Sequence, residues 1–152
     1  MEWLMNKVVL VTIIVFSSLI FAEPRIRPAD WAAPIIGSSL NNIYKVDDLL
    51  YRSEQPNSSE FKDISNLGIQ EILNLREYHT DDEEAVGTGL NLHQIKIETG
   101  SISEEQVITA LRIILKRKGP LLVHCWHGSD RTGAIVASYR VIVEGWSKEK
   151  AI

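Results

Sequence analysis

Cysteine is almost missing from this 152-residue chain: Cys125 stands alone. A lone cysteine excludes an intramolecular disulfide framework. It serves either as a small buried hydrophobe or as a reactive group. An excess of positive charge is missing too. Sixteen Lys and Arg face twenty Asp and Glu, a formal net charge of -4, which argues against a general nucleic-acid binder. A small basic pocket for phosphate is still compatible with that balance. His93, His124 and His127, even taken with the acidic run after His79, match no standard metal-site spacing. No metal or other cofactor is expected. Repeats and low-complexity segments are absent, and 152 residues suffice for one domain and not two.

A full bilayer span is also lacking. Val8 to Ala22 is uncharged and apolar or small, but it counts only 15 residues, where a helical span takes about 20. The run suits the apolar region of a signal peptide. Residues 1–22 are therefore expected to be a signal peptide cleaved after Ala22, with an uncleaved membrane anchor as the alternative. Either way the domain is expected outside the cytoplasmic membrane, periplasmic or secreted, and touches a membrane only through an uncleaved leader. Residues 23–41 hold Pro24, Pro28 and Pro34 with little periodicity. They are expected to be a leader or linker.

What is present in 42–152 is alternation. Ile43 to Val46 and Leu49 to Arg52 read as a small hairpin. Turn residues at Gln55 to Ser58 precede a helix over Ser59 to Leu67, with Phe61, Ile64 and Leu67 on its core face and Gly68 behind it. Ile69 to Leu75 and Leu92 to Ile97 read as strands, separated by a solvated acidic loop over His79 to Gly89. Ser103 and Gln106 have capping-box spacing for a helix to Lys118. Leu121 to Val123 is a third strand. A largely buried helix runs from Gly133 to Glu144. Ser147 then looks like an N-cap, and the domain is expected to continue past Ile152. Such alternation predicts an α/β fold with a largely parallel central sheet flanked by helices. Ligands of such sheets sit at the C-terminal strand ends.

The stretch His124-Cys125-Trp126-His127-Gly128-Ser129-Asp130-Arg131-Thr132-Gly133 falls at such an end. A strand enters it and a helix leaves it. Free N–H groups at a helix start attract anions, so the backbone from Trp126 through His127, Gly128, Ser129 and Asp130 to Arg131 can surround a tetrahedral oxyanion. The same field favours the Cys125 thiolate. Arg131 offers two parallel donors to two phosphate oxygens. Thr132 can hydrogen-bond the sulfur. Gly128 lets the loop coil, Gly133 lets the helix pack closely, and His124 orders the loop backbone.

This stretch resembles the H-C-x5-R-[ST] phosphate-binding loop of the protein-tyrosine phosphatase superfamily. Arg52-Ser53-Glu54-Gln55-Pro56 resembles the R-S-x-Q-P segment of its small bacterial, exported, dual-specificity-like members. Gly68 to Arg76 and Gly145 to Glu149 are similar to their neighbouring segments. The resemblance implies a dual-specificity-phosphatase-like fold and a metal-free, two-step reaction. Cys125 attacks phosphorus, a phosphocysteine forms, and water releases phosphate. The implied partner is a phosphorylated protein, with phosphotyrosine foremost and phosphoserine or phosphothreonine also open. A phosphoinositide or small-ester phosphatase and a non-catalytic phosphotyrosine-binding module are the alternatives. The family's acid is usually an Asp on the loop before the helix that precedes the nucleophile. Here Ile97 to Glu104 has no Asp. Glu98 is favoured over Glu104, with Asp81 or Asp82 behind them. Asp130 either disfavours highly charged substrates or only positions Arg131.

Overall fold

A computed structural model of the chain describes residues 27–152. The expected signal peptide, 1–22, lies outside the described residues. The elements are β1 (Ala33–Pro34), β2 (Tyr44–Lys45), β3 (Leu50–Ser53), α1 (Ser58–Asn66), β4 (Glu71–Arg76), β5 (Asn91–Ile97), α2 (Glu104–Lys116), β6 (Leu121–His124), α3 (Asp130–Ile142) and α4 (Lys148–Ala151). They form one six-stranded sheet in the order β1-β2-β3-β6-β4-β5. The pairings β3–β6, β6–β4 and β4–β5 are parallel, and β1–β2–β3 is an antiparallel edge. The fold is therefore α/β with a mixed, mostly parallel sheet flanked by helices, as the alternation predicts.

Period-two alternation sorts the strand residues between two layers. Ile72 and Leu122 face α1 and pack with Phe61, Ile64, Ile69 and Leu40. Leu73, Leu75, Leu121 and Val123 face α2 and α3 and pack with Ala110, Leu111, Ile114 and Ile135. β6 lies at the centre, and all four of its residues are buried.

The helix starts are sharply written. Asn57 caps α1 and Glu60 answers through its own carboxylate to the Asn57 N–H at 2.8 Å. Ser103 and Gln106 form the expected box on α2, at 2.9 and 3.2 Å. Gly68 takes φ +87° after α1, a left-handed conformation that costs glycine little.

Several expectations need correction. The 23–41 stretch is not wholly an arm: Ala33–Pro34 pairs with β2, and Leu40 is buried in the core. Leu67 and Ile142 are exposed, because each falls at the end of its helix, where the apolar face runs off the sheet. α3 begins at Asp130, three residues before the expected start. The loop itself thus winds directly into the helix.

At the opposite, N-terminal end of the sheet, Glu71 is buried. It accepts from the Lys118 N–H at 2.6 Å and pairs with His93 Nε2 at 2.8 Å. Burial pushes its carboxyl up, but the hydrogen bonds from His93 and from the Lys118 and Gly119 backbone hold it below the ordinary value. A carboxylate with a depressed folded pKa stabilises the fold above its unfolded pKa, ~4.3, and that contribution fades as pH falls through the folded value. Glu71→Ala leaves buried N–H groups without an acceptor, which costs about 1–3 kcal/mol. Urea unfolding at pH 7 is expected to show that loss, and the gap to wild type should close as the pH is lowered toward 3.

Candidate active site

The C-terminal ends of β3, β4, β5 and β6 meet at one edge of the sheet, and the Cys125–Arg131 loop rises from β6 into α3 there. Consecutive carbonyls of this loop are held from outside. The Cys125 oxygen lies 3.2 Å from His124 Nδ1. The Trp126 oxygen accepts from the Gln55 N–H at 3.0 Å. The His127 oxygen accepts from Asn42 Nδ2 at 2.9 Å. The Gly128 oxygen accepts from Arg52 Nη2. In a planar trans peptide the next N–H points opposite to the carbonyl. Turning these four carbonyls outward therefore turns the N–H groups of Trp126, His127, Gly128 and Ser129 inward. Ser129 stands at the N-cap of α3 but makes no side-chain cap bond, so its side chain does not compete for the first amides of the helix.

Cys125 lies at the base of this cradle and is only 3 % exposed. Burial pushes its thiol up. The Thr132 hydroxyl, the N–H groups of Thr132 and Gly128 and the charge of Arg131 pull it down harder, so it lies below its ordinary value. The thiolate is thus favoured where a nucleophile would need it. Thr132 is fully buried and its Oγ1 has no partner of regular hydrogen-bond geometry. Its influence falls on the sulfur.

Arg131 Nη1 donates to carbonyls at the C-terminal ends of two strands, Ile97 O at 3.1 Å and Leu75 O at 3.4 Å. Its Nε is buried without a partner. The strand ends thus fix one edge of the guanidinium and leave donor capacity for an oxyanion.

The loop opens into a cleft of about 400 Å³ lined by Arg76, Glu77, Tyr78, Thr99, Trp126, His127, Asp130 and Arg131. Trp126 is 54 % exposed and carries the Arg76 guanidinium 4.1 Å above its ring. His127 meets it edge-on at 6.2 Å. Trp126, His127, Asp130 and Arg131 therefore lie along the cleft, Gly128 and Ser129 contribute backbone, and His124 is buried beneath the loop.

Three expectations change. Gly133 is not sterically required, since a Cβ there would sit at an ordinary 3.8 Å from Arg52 Nη2. The demanding glycine is Gly128, at φ +71°, where a Cβ would press into the Ser53 carbonyl and lie 2.7 Å from the Glu54 nitrogen. Glu98 is exposed and bridges to Ser101 beyond β5. It is not among the residues lining the cleft, although its neighbour Thr99 is. Glu104 sits exposed in the first turn of α2. The acidic loop is not wholly solvated either, because Asp81 is 4 % exposed.

Sequence reasoning gave no role to Arg52, Asn42, Gln55, Arg76 or Glu77. Arg52 and Gln55 carried a signal through the R-S-x-Q-P spacing, and Arg76 through the resemblance of Gly68 to Arg76.

With this geometry in place the family follows. Residues 39–152 match the tyrosine phosphatase family, and the chain belongs to it. The dual specificity protein phosphatase TpbA of Pseudomonas aeruginosa (strain UCBPP-PA14) is 32% identical over 135 residues, covering 86% of this chain and 59% of that protein. An inositol diphosphatase of Oryza sativa subsp. japonica is 32% identical over 124 residues, covering 76% and 60%. The crystal structure of P. aeruginosa TpbA in complex with pTyr superposes with a TM-score of 0.74 at 27% identity, covering 83% of this chain and 77% of that one. The chain spans about three fifths of the length of the curated relatives it matches.

Gly128→Ala tests the loop geometry. Its Cβ has backbone on the far side and cannot be relieved by a rotamer change. The variant is expected to keep its circular dichroism spectrum and lose at least about a hundredfold in phosphate-ester turnover, the order seen when one oxyanion donor is removed.

Proposed function

We propose that this chain hydrolyses phosphomonoesters through a phosphocysteine on Cys125, with phosphotyrosine proteins as its substrates. The observation that carries this is the amide cradle closed over a buried cysteine whose thiol is held low. The phosphoryl group sits in the cradle with two oxygens on Arg131. The Cys125 sulfur attacks phosphorus in line, the S–P bond forms and the ester P–O bond breaks. A carboxylic acid protonates the leaving oxygen. Water then attacks phosphorus, the P–S bond breaks, and the Thr132 hydroxyl receives the departing thiolate in a hydrogen bond. The carboxylate left from the first step takes the proton of the attacking water.

Charge and shape favour an aromatic ester over a polyphosphorylated inositol. The cleft residues include two cations, Arg76 and Arg131, against two carboxylates, Glu77 and Asp130, together with the rings of Trp126 and Tyr78. One phosphate is well served by Arg131 and the amides, whereas further phosphates would meet Glu77 and Asp130 at close range. A tyrosyl ring gains a stacking surface.

The acid is a carboxylate at the mouth of the cleft. Glu98 supplies it by movement of the Glu98–Ser101 turn, and Glu77, which lines the cleft as it stands, is the competing source. The apolar run before residue 23 supports export, which would place this reaction outside the cytoplasm.

Hydrolysis of p-nitrophenyl phosphate without added metal is the first measurement. Activity is expected to resist chelators, vanish in Cys125→Ser and collapse in Arg131→Lys. A folded wild type that binds phosphotyrosine without turning it over would instead support a binding module. The acid is separated by leaving group. Its Gln variant should lose about 10²–10⁴-fold toward alkyl phosphates and far less toward nitrophenyl phosphate. That pattern in Glu98→Gln assigns Glu98, in Glu77→Gln it assigns Glu77, and an unchanged ratio rejects the variant's residue.

A further inference from the structure

Asp81 lies behind the phosphate loop, away from the cleft, and none of the steps above uses it. Its carboxylate is nonetheless shared between segments that shape the loop. Oδ2 lies 2.8 Å from His124 Nε2, and the other nitrogen of that ring faces the Cys125 carbonyl. Oδ1 accepts from Gln55 Nε2 at 2.9 Å. The Gln55 main-chain N–H holds the Trp126 carbonyl, and its Oε1 accepts from Arg76 Nη1 at 3.1 Å. Arg76 in turn covers the Trp126 ring. From one buried carboxylate, paths of one or two side chains thus reach the Cys125 carbonyl, the Trp126 carbonyl and the Trp126 ring.

The segment bearing Asp81 is itself fixed. The His79 carbonyl accepts from Asn74 Nδ2 at 3.0 Å and from Gln94 Nε2 at 2.8 Å, which ties it to β4 and β5. A carboxylate so deeply buried is costly unless its oxygens are satisfied, and both are.

We infer that Asp81 is a positioning residue for catalysis, a buried anchor that sets the His124 ring and the Gln55 side chain so that the Cys125 and Trp126 carbonyls stay turned away from the phosphate. The inference rests on the proposed reaction, but its consequences reach ligand binding and thiol reactivity as well as turnover. If the Cys125 and Trp126 peptides rotate, the inward amides of Trp126 and His127 are lost to the anion and the field at the sulfur weakens.

The titratable and charged groups around that sulfur are Arg131 from α3, Arg52 from β3, Arg76 from the end of β4, His124 on β6 and Asp130 on the cleft wall. Asp81 is faced by His124, His79, Gln55 and Arg76, and Glu84 stands beyond His79. Removing the Asp81 charge alone, with no rearrangement, would favour the thiolate by Coulomb's law. Loss of loop order acts in the opposite direction, so the sign of the change distinguishes positioning from simple electrostatics.

The test uses Asp81→Asn, with the rate of Cys125 alkylation by iodoacetate followed from pH 4 to 9 and inorganic phosphate as the binding probe. Neither readout requires turnover, so a failure of the phosphatase reading and a failure of this inference are distinguishable. The folded variant is expected to alkylate with its midpoint moved to higher pH. It should bind phosphate at least about tenfold more weakly and lose about a hundredfold in kcat, the order expected when reacting groups are misplaced. Gln55→Leu cuts the second path and serves if Asp81→Asn does not fold. It is expected to move all three quantities in the same direction. In the double variant the losses should fall short of their product, since both act through one network. A wild-type alkylation profile and phosphate affinity in whichever variant folds, or a midpoint moved to lower pH, would overturn the inference.

Discussion

Four outward carbonyls govern this site. A loop of five residues between a strand and a helix has no regular hydrogen bonding of its own, and left alone its peptides would sample many orientations. Here donors from four places pin them: the His124 ring, the Gln55 backbone, the Asn42 side chain and the Arg52 guanidinium. The inward amides are a consequence. So is the need for glycine at 128, where the loop passes so close to Ser53 and Glu54 that no side chain fits. The orientation of the loop is therefore fixed by protein donors alone, which is the condition under which dipoles stabilise charge without reorganising.

The same arrangement explains how a cysteine buried at the base can be acidic. Desolvation opposes the thiolate, and in an apolar pocket it would win. The hydrogen bonds of Thr132 and Gly128 and the Arg131 charge reverse the outcome locally. Arg131 can serve the sulfur because the ends of β4 and β5 hold one of its terminal nitrogens. The parallel sheet thus does more than carry the loop. Its strand ends supply the acceptors that aim the guanidinium.

Much of this was legible in the sequence, and the unread parts share one physical cause. The strands, the capped helices and the Cys125–Arg131 loop are written in local patterns: period-two apolar runs, Ser103 with Gln106, Gly68 after a helix. Apart from His124, the residues that pin the loop come from 71 to 85 positions away in sequence, and nothing local marks them. Asn42 looks like any turn residue. Asp81 sits among four acids in a row and differs from its neighbours only in being buried. Leu67, and Ile142 within the helix expected to be largely buried, failed in the other direction. Their spacing fits the core face, but the helix ends carry them past the sheet.

The carboxylates around the loop divide by burial, and the division bears on what each can do. Asp81 is buried with both oxygens occupied, so it cannot reach a leaving group and is held charged. Burial would raise its carboxyl, but the His124 and Gln55 bonds keep it low. A general acid needs the reverse, a proton to give and a path to the substrate. Glu77 and Asp130 line the cleft as it stands, and Glu98 reaches it only on the proposed movement of its turn. Asp130 begins α3, next to the Arg131 that the proposed reaction places on phosphate. Glu77 and Glu98 stand just past the ends of two neighbouring parallel strands. On the proposed reaction, anchoring falls to the carboxylate behind the loop and proton transfer to one beyond the strand ends.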